Sequence, residues 1–241
     1  MEAIIQTQSL TKEFNGIKAV KDISLEIPNS TIYALVGPTG CGKTTFLRIL
    51  LGLLSPDSGH GRIIGYDILK EKNKIRKVIG YVPQEDGLEP YLSVFDNIYL
   101  FSSAYDLERK EQKRRIEEYL KYVGLLTKRD DLVKYLSSGE KKLVALLSSL
   151  IHNPALLFLD EVTTSLDFVH QSKVWDLVKG LYQKGKTILL VTHNMLEVKT
   201  LCQGMIIMDK GEILTIGKPQ ELLEEFKCRS LEEIMLKLVK I

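Results

Sequence analysis

Eight residues restrict the folds open to this chain more than any others: Gly37-Pro38-Thr39-Gly40-Cys41-Gly42-Lys43-Thr44. They fit G-x-x-x-x-G-K-[ST], in which glycines let the backbone curl until successive N–H groups point inward as a nest for an anion. The pattern carries meaning only between a strand and a helix, and both flanks qualify. Thr31-Ile32-Tyr33-Ala34-Leu35-Val36 reads as a strand. The run from Thr44 to Leu53 reads as a helix, with apolar residues at Phe46, Leu47, Leu50, Leu51 and, just beyond, Leu54. A helix starting there adds positive potential at its N-terminus. The spacing predicts a P-loop that holds a nucleoside triphosphate, with Lys43 on the β- and γ-phosphates and the Thr44 hydroxyl on Mg²⁺.

A length of 241 residues suffices for one large α/β domain or two small ones with a buried core. Lys and Arg number 33 against 31 Asp and Glu, and no basic run stands out, so no nucleic-acid partner is expected. Cys41, Cys202 and Cys228 are odd in number and widely spaced, which points to a reducing compartment rather than to disulfides or a metal site. Met1-Glu2-Ala3-Ile4-Ile5-Gln6 does not read as a signal peptide. The apolar runs Leu143 to Ile151 and Ala155 to Leu159 are too short or too interrupted to span a bilayer.

Along the chain, residues 3–8 and 17–27 read as β-rich, and 61–69 and 78–82 as short strands around a basic turn of helix. From Gly87 to about Leu147 helical spacing takes over, with Ile116, Leu120 and Val123 at i, i+4 and i+7. The mixed-sign charges between Glu108 and Glu118 read as a solvated helix face. Strand–helix alternation then returns. Leu156 to Leu159 and Thr187 to Val191 have the continuous apolar character of buried parallel strands. Met205 to Met208 and Glu212 to Ile216 flank the hairpin signal Asp209-Lys210-Gly211. Helices are expected from Pro219 and from Ser230, the latter opened by a Ser230-x-x-Glu233 capping box. The expected organisation is one domain: an α/β core of residues 1–86 and 148–241, a helical insertion of 87–147, and C-terminal helices within 219–241.

Leu156-Leu157-Phe158-Leu159 ends in Asp160-Glu161. In P-loop folds the strand beside the P-loop strand presents an Asp to the Mg²⁺ shell, the role expected of Asp160. Glu161 stands at the strand tip, where a carboxylate can take a proton from an attacking water.

Between these motifs lies Tyr135-Leu136-Ser137-Ser138-Gly139-Glu140-Lys141-Lys142, which resembles the LSGGQ signature of ABC ATPases. The order and spacing of other elements agree with that family over essentially the whole chain. The resemblance implies a P-loop ABC-ATPase core with an N-terminal antiparallel β-subdomain and an inserted α-helical subdomain. It implies that Phe14 stacks on adenine, that Thr45 joins Gly37 to Thr44 in the nucleotide site, and that Gln84 in Tyr81-Val82-Pro83-Gln84 is the Q-loop residue, shared between metal shell and catalysis. Ser165-Leu166-Asp167 corresponds to the D-loop and His193 to the switch histidine, which contacts the γ-phosphate. The implied cofactors are ATP and Mg²⁺. The implied assembly is a head-to-tail dimer, with itself or a paralogue, in which Ser137, Gly139 and Glu140 meet the nucleotide bound by the other subunit. A separate transmembrane permease subunit would hold the protein at the cytoplasmic face of the membrane.

Ser137-x-x-Glu140 is also a capping box for a helix over 139–151, and a capped N-terminus presents free N–H groups to an anion. Two residues depart from the family form. Ser138 adds a Cβ where a glycine is usual, and Glu140 brings negative charge unless its carboxylate folds back onto the Ser137 N–H. Gly65-Tyr66-Asp67-Ile68 and the tail from Ser230 to Leu238 resemble segments of drug, antibiotic-peptide and sterol-type exporters with separate membrane subunits. A soluble non-transport ABC ATPase and a regulatory clamp with weak hydrolysis are the alternative readings. A further expectation is that Cys41, inside an anion nest, has a lowered pKa and reacts readily.

Overall fold

The computed structural model describes residues 3–164 and 166–239. In chain order it contains β1 (Ala3–Phe14), β2 (Ile17–Pro28), β3 (Ile32–Val36), α1 (Lys43–Leu50), β4 (Ser58–Ile63), β5 (Tyr66–Asp67), α2 (Lys72–Val78) and β6 (Ile79–Val82). Three helices follow: α3 (Val94–Ser102), α4 (Arg109–Tyr122) and α5 (Ser138–Leu150), with single 3₁₀ turns at Leu126–Lys128 and Val133–Tyr135 before the last. Then come β7 (Leu156–Asp160), α6 (Phe168–Gln183), β8 (Thr187–Val191), α7 (Met195–Leu201), β9 (Gly204–Asp209), β10 (Glu212–Gly217), α8 (Pro219–Glu225) and α9 (Leu231–Leu238).

Contacts divide the chain into two compact units, residues 1–76 with 182–241, and residues 77–181. The first unit holds an antiparallel sheet in the order β2-β1-β4-β5. It also holds β3, flanked by β8 and β9 in parallel, with β10 antiparallel to β9. β1 and β2 meet at Asn15-Gly16, whose φ values of 49° and 82° are the left-handed pair that a two-residue hairpin demands. β1 therefore runs to Phe14, beyond the residues 3–8 expected. The reason is bulging: Ser9 and Asp22 have positive φ, and register shifts break the apolar alternation that the sequence pattern relies on. Residues 61–69 likewise form two strand pieces rather than one, because Ile64 and Gly65 turn through positive φ.

Behind β3 and β9 lies one apolar cluster. Ala34, Val36, Met205 and Ile207 pack with Met195 and Val198 of α7, Leu222 of α8, and Leu231 and Ile234 of α9. The exporter-like tail thus serves here as core closure. Its cap is only half of the expected box. Ser230 Oγ accepts from the Glu233 N–H at 3.4 Å, whereas the Glu233 carboxylate accepts from the Arg229 N–H at 2.7 Å. The extended Ser230 leaves its own N–H out of reach of Glu233, and the preceding amide takes its place.

The second unit packs α5 against α3, α4 and β6, and pairs β6 with β7 in parallel. Leu143, Leu146, Leu147 and Leu150 of α5 are buried, as are Ile98 of α3 and Ile116 and Leu120 of α4. Each such side chain contributes about 2 kcal/mol. Ser93 caps α3, its hydroxyl accepting from the Asp96 N–H at 3.0 Å. Buried Asn97 bridges to Glu89 and Ser93, which ties the entry of the helical region to its first helix.

Candidate active site

The functional residues are carried at strand ends and helix starts of each unit. In the first unit, β3 feeds directly into the P-loop and α1 begins at Lys43. Gly42 has φ 109°, and a Cβ there would lie 2.1 Å from the Ala19 carbonyl oxygen, so only glycine fits. Lys43 is buried, and its ammonium donates to the carbonyls of Gly37 at 2.8 Å and Pro38 at 2.9 Å. Thr39, Gly40 and Thr44 are exposed, and Thr45 is half-buried. Phe14 is 46% exposed at the end of β1, with the Lys12 ammonium 5.4 Å from its ring centre. His193 is exposed just past β8, and the next residue, Asn194, caps α7 by accepting from the Leu196 and Glu197 N–H groups.

Cys41 corrects the expectation of an acidic thiol. It is 4% exposed, and burial pushes the thiol up, against the opposing pull of Lys43 3.8 Å away. Removing a thiolate from water costs more here than one ammonium returns.

In the second unit, β7 is buried along its full length and delivers Asp160, itself 6% exposed. The chain then turns sharply, with Glu161 at φ 48°. The Gln84 side-chain amide donates to the Glu161 carboxylate at 3.3 Å. Lys142, one turn into α5, donates to the Pro83 carbonyl at 3.1 Å and also to the Gln84 carbonyl. Burial lowers the Lys142 pKa, opposed by Asp86, Asp160 and Glu85.

At the start of α5 both halves of the capping box form. Ser137 Oγ accepts from the Glu140 N–H at 3.2 Å, and the Glu140 carboxylate accepts from the Ser137 N–H at 3.0 Å. The other Glu140 oxygen receives the Lys128 ammonium at 2.6 Å. Burial works to raise the Glu140 carboxyl, but Lys128 and the Ser137 N–H together hold it below the ordinary range. Ser138 is exposed. Gly139 is buried, and a Cβ on it would lie 2.3 Å from the His170 ring. That ring is fixed by Asp167, whose carboxylate accepts from the His170 N–H at 3.0 Å and pairs with Nδ1 at 2.6 Å. Ser165, the first residue of the expected D-loop, lies outside the described residues.

Within the second unit, then, Gln84, Glu161 and Asp160 come together with the start of α5 close by through Lys142. Within the first, the P-loop leads directly from β3 into α1. A family model described as ABC transporter matches residues 20–164, more than half of the chain.

The chain belongs to the ABC transporter family. This ABC subunit is 36% identical over 233 residues to a Nod factor export ATP-binding protein I of Cupriavidus metallidurans, covering 96% of this chain and 77% of that protein. It is 35% identical over 219 residues to the linearmycin resistance ATP-binding protein LnrL of Bacillus subtilis, covering 91% and 70%. A solved ATP-binding subunit of an ABC transporter shares its fold with a TM-score of 0.90 over 98% of this chain and all of that one, at 24% identity. The cbiO1 subunit of Clostridium perfringens, part of the cbiONQ transporter complex, matches at a TM-score of 0.84 and 29% identity, covering 94% and 93%. The protein is thus an ABC-type ATP-binding subunit with the ATPase activity that this family carries.

Three residues beyond the sequence reading matter to this site. Lys142 lies inside the quoted signature stretch, but its reach back to Pro83 and Gln84 has no signature in spacing. Lys128 and His170 come from segments in which neither residue was singled out by the sequence reading, and only the folded contacts bring them to Glu140 and Gly139.

Proposed function

We propose that this chain hydrolyses ATP to drive export through separate membrane subunits, working as a head-to-tail dimer with itself or a paralogue. The contact between Gln84 and Glu161 carries the catalytic part of this reading. It places a carboxylate at a strand tip with an amide beside it, the pair needed to orient a water and accept its proton.

In this mechanism Phe14 stacks on the base, the P-loop backbone and Lys43 hold the phosphates, and Thr45 lies in the same nucleotide site. Thr44, Gln84 and Asp160 would hold Mg²⁺, offering hydroxyl, amide and carboxylate oxygens, hard donors of the kind that ion takes. Bound Mg²⁺ supplies charge neutralisation of the phosphate oxygens. Glu161 is the general base, and Gln84 orients the water. His193 contacts the γ-phosphate. Ser137, Gly139 and Glu140 present the start of α5 to the nucleotide of the other subunit. The segment from Gln84 to Val94, where the core of 1–86 and 148–241 gives way to a helical insertion of 87–147, passes closure to the membrane partner.

Export is favoured over uptake by the names of the relatives above, which are an export protein and a resistance protein. Attachment is peripheral in this reading. Among the described residues no helix is long and apolar enough to cross a membrane. Steady-state ATP hydrolysis by the purified chain, alone and with a candidate membrane subunit in vesicles, tests the proposal. Turnover that is stimulated by the membrane subunit and lost in Glu161→Gln is the expected result. Turnover that persists in Glu161→Gln removes the general-base role.

A further inference from the structure

An acidic residue at the signature position poses an electrostatic problem. Glu140 sits in the first turn of α5, where the helix end would face a triphosphate, and an ionised carboxylate there repels the same anion. The structure shows how the carboxylate is occupied. One oxygen accepts from the Ser137 N–H at 3.0 Å, and the other accepts the Lys128 ammonium at 2.6 Å. With both oxygens engaged the group cannot swing outward without breaking a charge-assisted bond.

The support for Lys128 is itself local and firm. Lys128 closes the 3₁₀ turn Leu126–Lys128, and its N–H donates to the Leu125 carbonyl at 3.0 Å. The following segment is fastened to α3, whose Val94 and Phe95 N–H groups donate to the carbonyls of Asp131 and Arg129. Arg129 lies over the Phe95 ring and pairs with Glu117 of α4. The Lys128 side chain is 42% exposed and that of Glu140 is 16% exposed, so the carboxylate is the more buried partner of the pair.

We infer that Lys128 is a positioning residue that makes Glu140 compatible with an anion at the signature helix. It binds the carboxylate, cancels its charge and leaves the α5 N-terminus net attractive to the γ-phosphate held by the opposing subunit. The inference rests on the proposed trans role of the signature. In this chain the pair Lys128 and Glu140 together stand for what a neutral amide side chain would supply alone.

The test measures ATP-driven association of the full chain by light scattering in a Glu161→Gln background, which holds the nucleotide unhydrolysed. Lys128→Met is expected to weaken association about tenfold, the scale of one unscreened charge near a helix end and a phosphate. Adding Glu140→Gln to that chain is expected to restore association to within about twofold of the parent, and the Lys128→Met defect should shrink as salt rises. A defect of equal size in the Glu140→Gln chain would mean that Lys128 acts in some other way, and the inference falls. No defect at all in Lys128→Met overturns it as well. Ser137→Arg separates this failure from that of the parent reading. If Ser137→Arg leaves association intact, the signature does not face the opposing nucleotide, and both readings fall together. If Ser137→Arg abolishes association while Lys128→Met does not alter it, only the role of Lys128 is lost.

Discussion

The side-chain amide of Gln84 donates to the Glu161 carboxylate across 3.3 Å, so the Q-loop and the tip of β7 already share a hydrogen bond. In the mechanism proposed above, Glu161→Gln should reduce kcat about 10²- to 10⁴-fold, the scale of a lost general base. ATP affinity should change little. Gln84→Ala, which removes orientation rather than the base, should cost about tenfold in kcat. Single-turnover hydrolysis with parallel nucleotide titration checks both, and equal losses in the two variants would contradict the division of roles.

The Lys142 ammonium holds the carbonyls of Pro83 and Gln84 to the second turn of the signature helix. Lys142→Met leaves those acceptors without their charged donor, at a cost of about 1–3 kcal/mol. Amide hydrogen exchange in residues 84–88 should accelerate while that of β7 stays slow. Unchanged exchange in that segment would show that the clamp contributes nothing to its order.

Gly139→Ala should press a methyl group into the His170 ring and destabilise the chain by about 1–3 kcal/mol. His170→Gly made in that chain should recover most of the loss, because it removes both the ring and the His170 Cβ, which would itself lie 2.8 Å from the added methyl group. Thermal unfolding of the two single variants and the double variant reads this directly. A double variant no more stable than Gly139→Ala would mean the strain lies in the backbone instead.

Cys41 should resist alkylation. Burial raises its pKa, so the thiol stays protonated and unreactive well above neutrality. Iodoacetamide at pH 8 should label native Cys41 at least about tenfold more slowly than the same thiol in denaturant. Rapid labelling of the native chain, followed by peptide mass analysis, would restore the acidic-thiol reading.

The Glu140 carboxyl has a depressed pKa in the folded chain. Its contribution to stability is present above the ordinary glutamate range of about 4.3 and is lost as pH falls through the lower folded value. The thermal midpoint should drop between about pH 5 and 3 more steeply in the parent than in Glu140→Gln. Parallel curves would exclude Glu140 as a source of acid sensitivity.

Much of the architecture was legible because it rests on long apolar runs and on glycine spacing. β7 and β8 are fully buried strands, and each reads as an unbroken apolar run. The P-loop declares itself through Gly42, which no other residue can replace without meeting Ala19. Two features of the fold were hidden. The bulges at Ser9 and Asp22 erase strand alternation locally, so β1 looked shorter than it is. The Ser230 cap looked like a full box because spacing does not reveal which N–H a glutamate reaches. At the site, Asp160 and Glu161 were legible as the two carboxylates that end an apolar strand, and the resemblance added Gln84. Lys128 and Lys142 depend on contacts over 12 and 58 residues of chain, where no periodicity operates. The thiol of Cys41 was misjudged because an anion nest suggests charge, whereas the side chain itself turns into the core.

Glu161 is held at φ 48°, a conformation that most side-chain-bearing residues adopt at a cost of about 1 kcal/mol and that aspartate tolerates more readily. In the mechanism proposed above, durability and turnover are thereby set against each other at one backbone angle. Glu161→Asp would ease the turn after β7 and draw the carboxylate back by one methylene from the amide of Gln84. A laboratory selection for heat resistance alone would be drawn toward such a change and would collect long-lived, idle subunits. One that demanded transport would keep the longer side chain and accept the less comfortable turn.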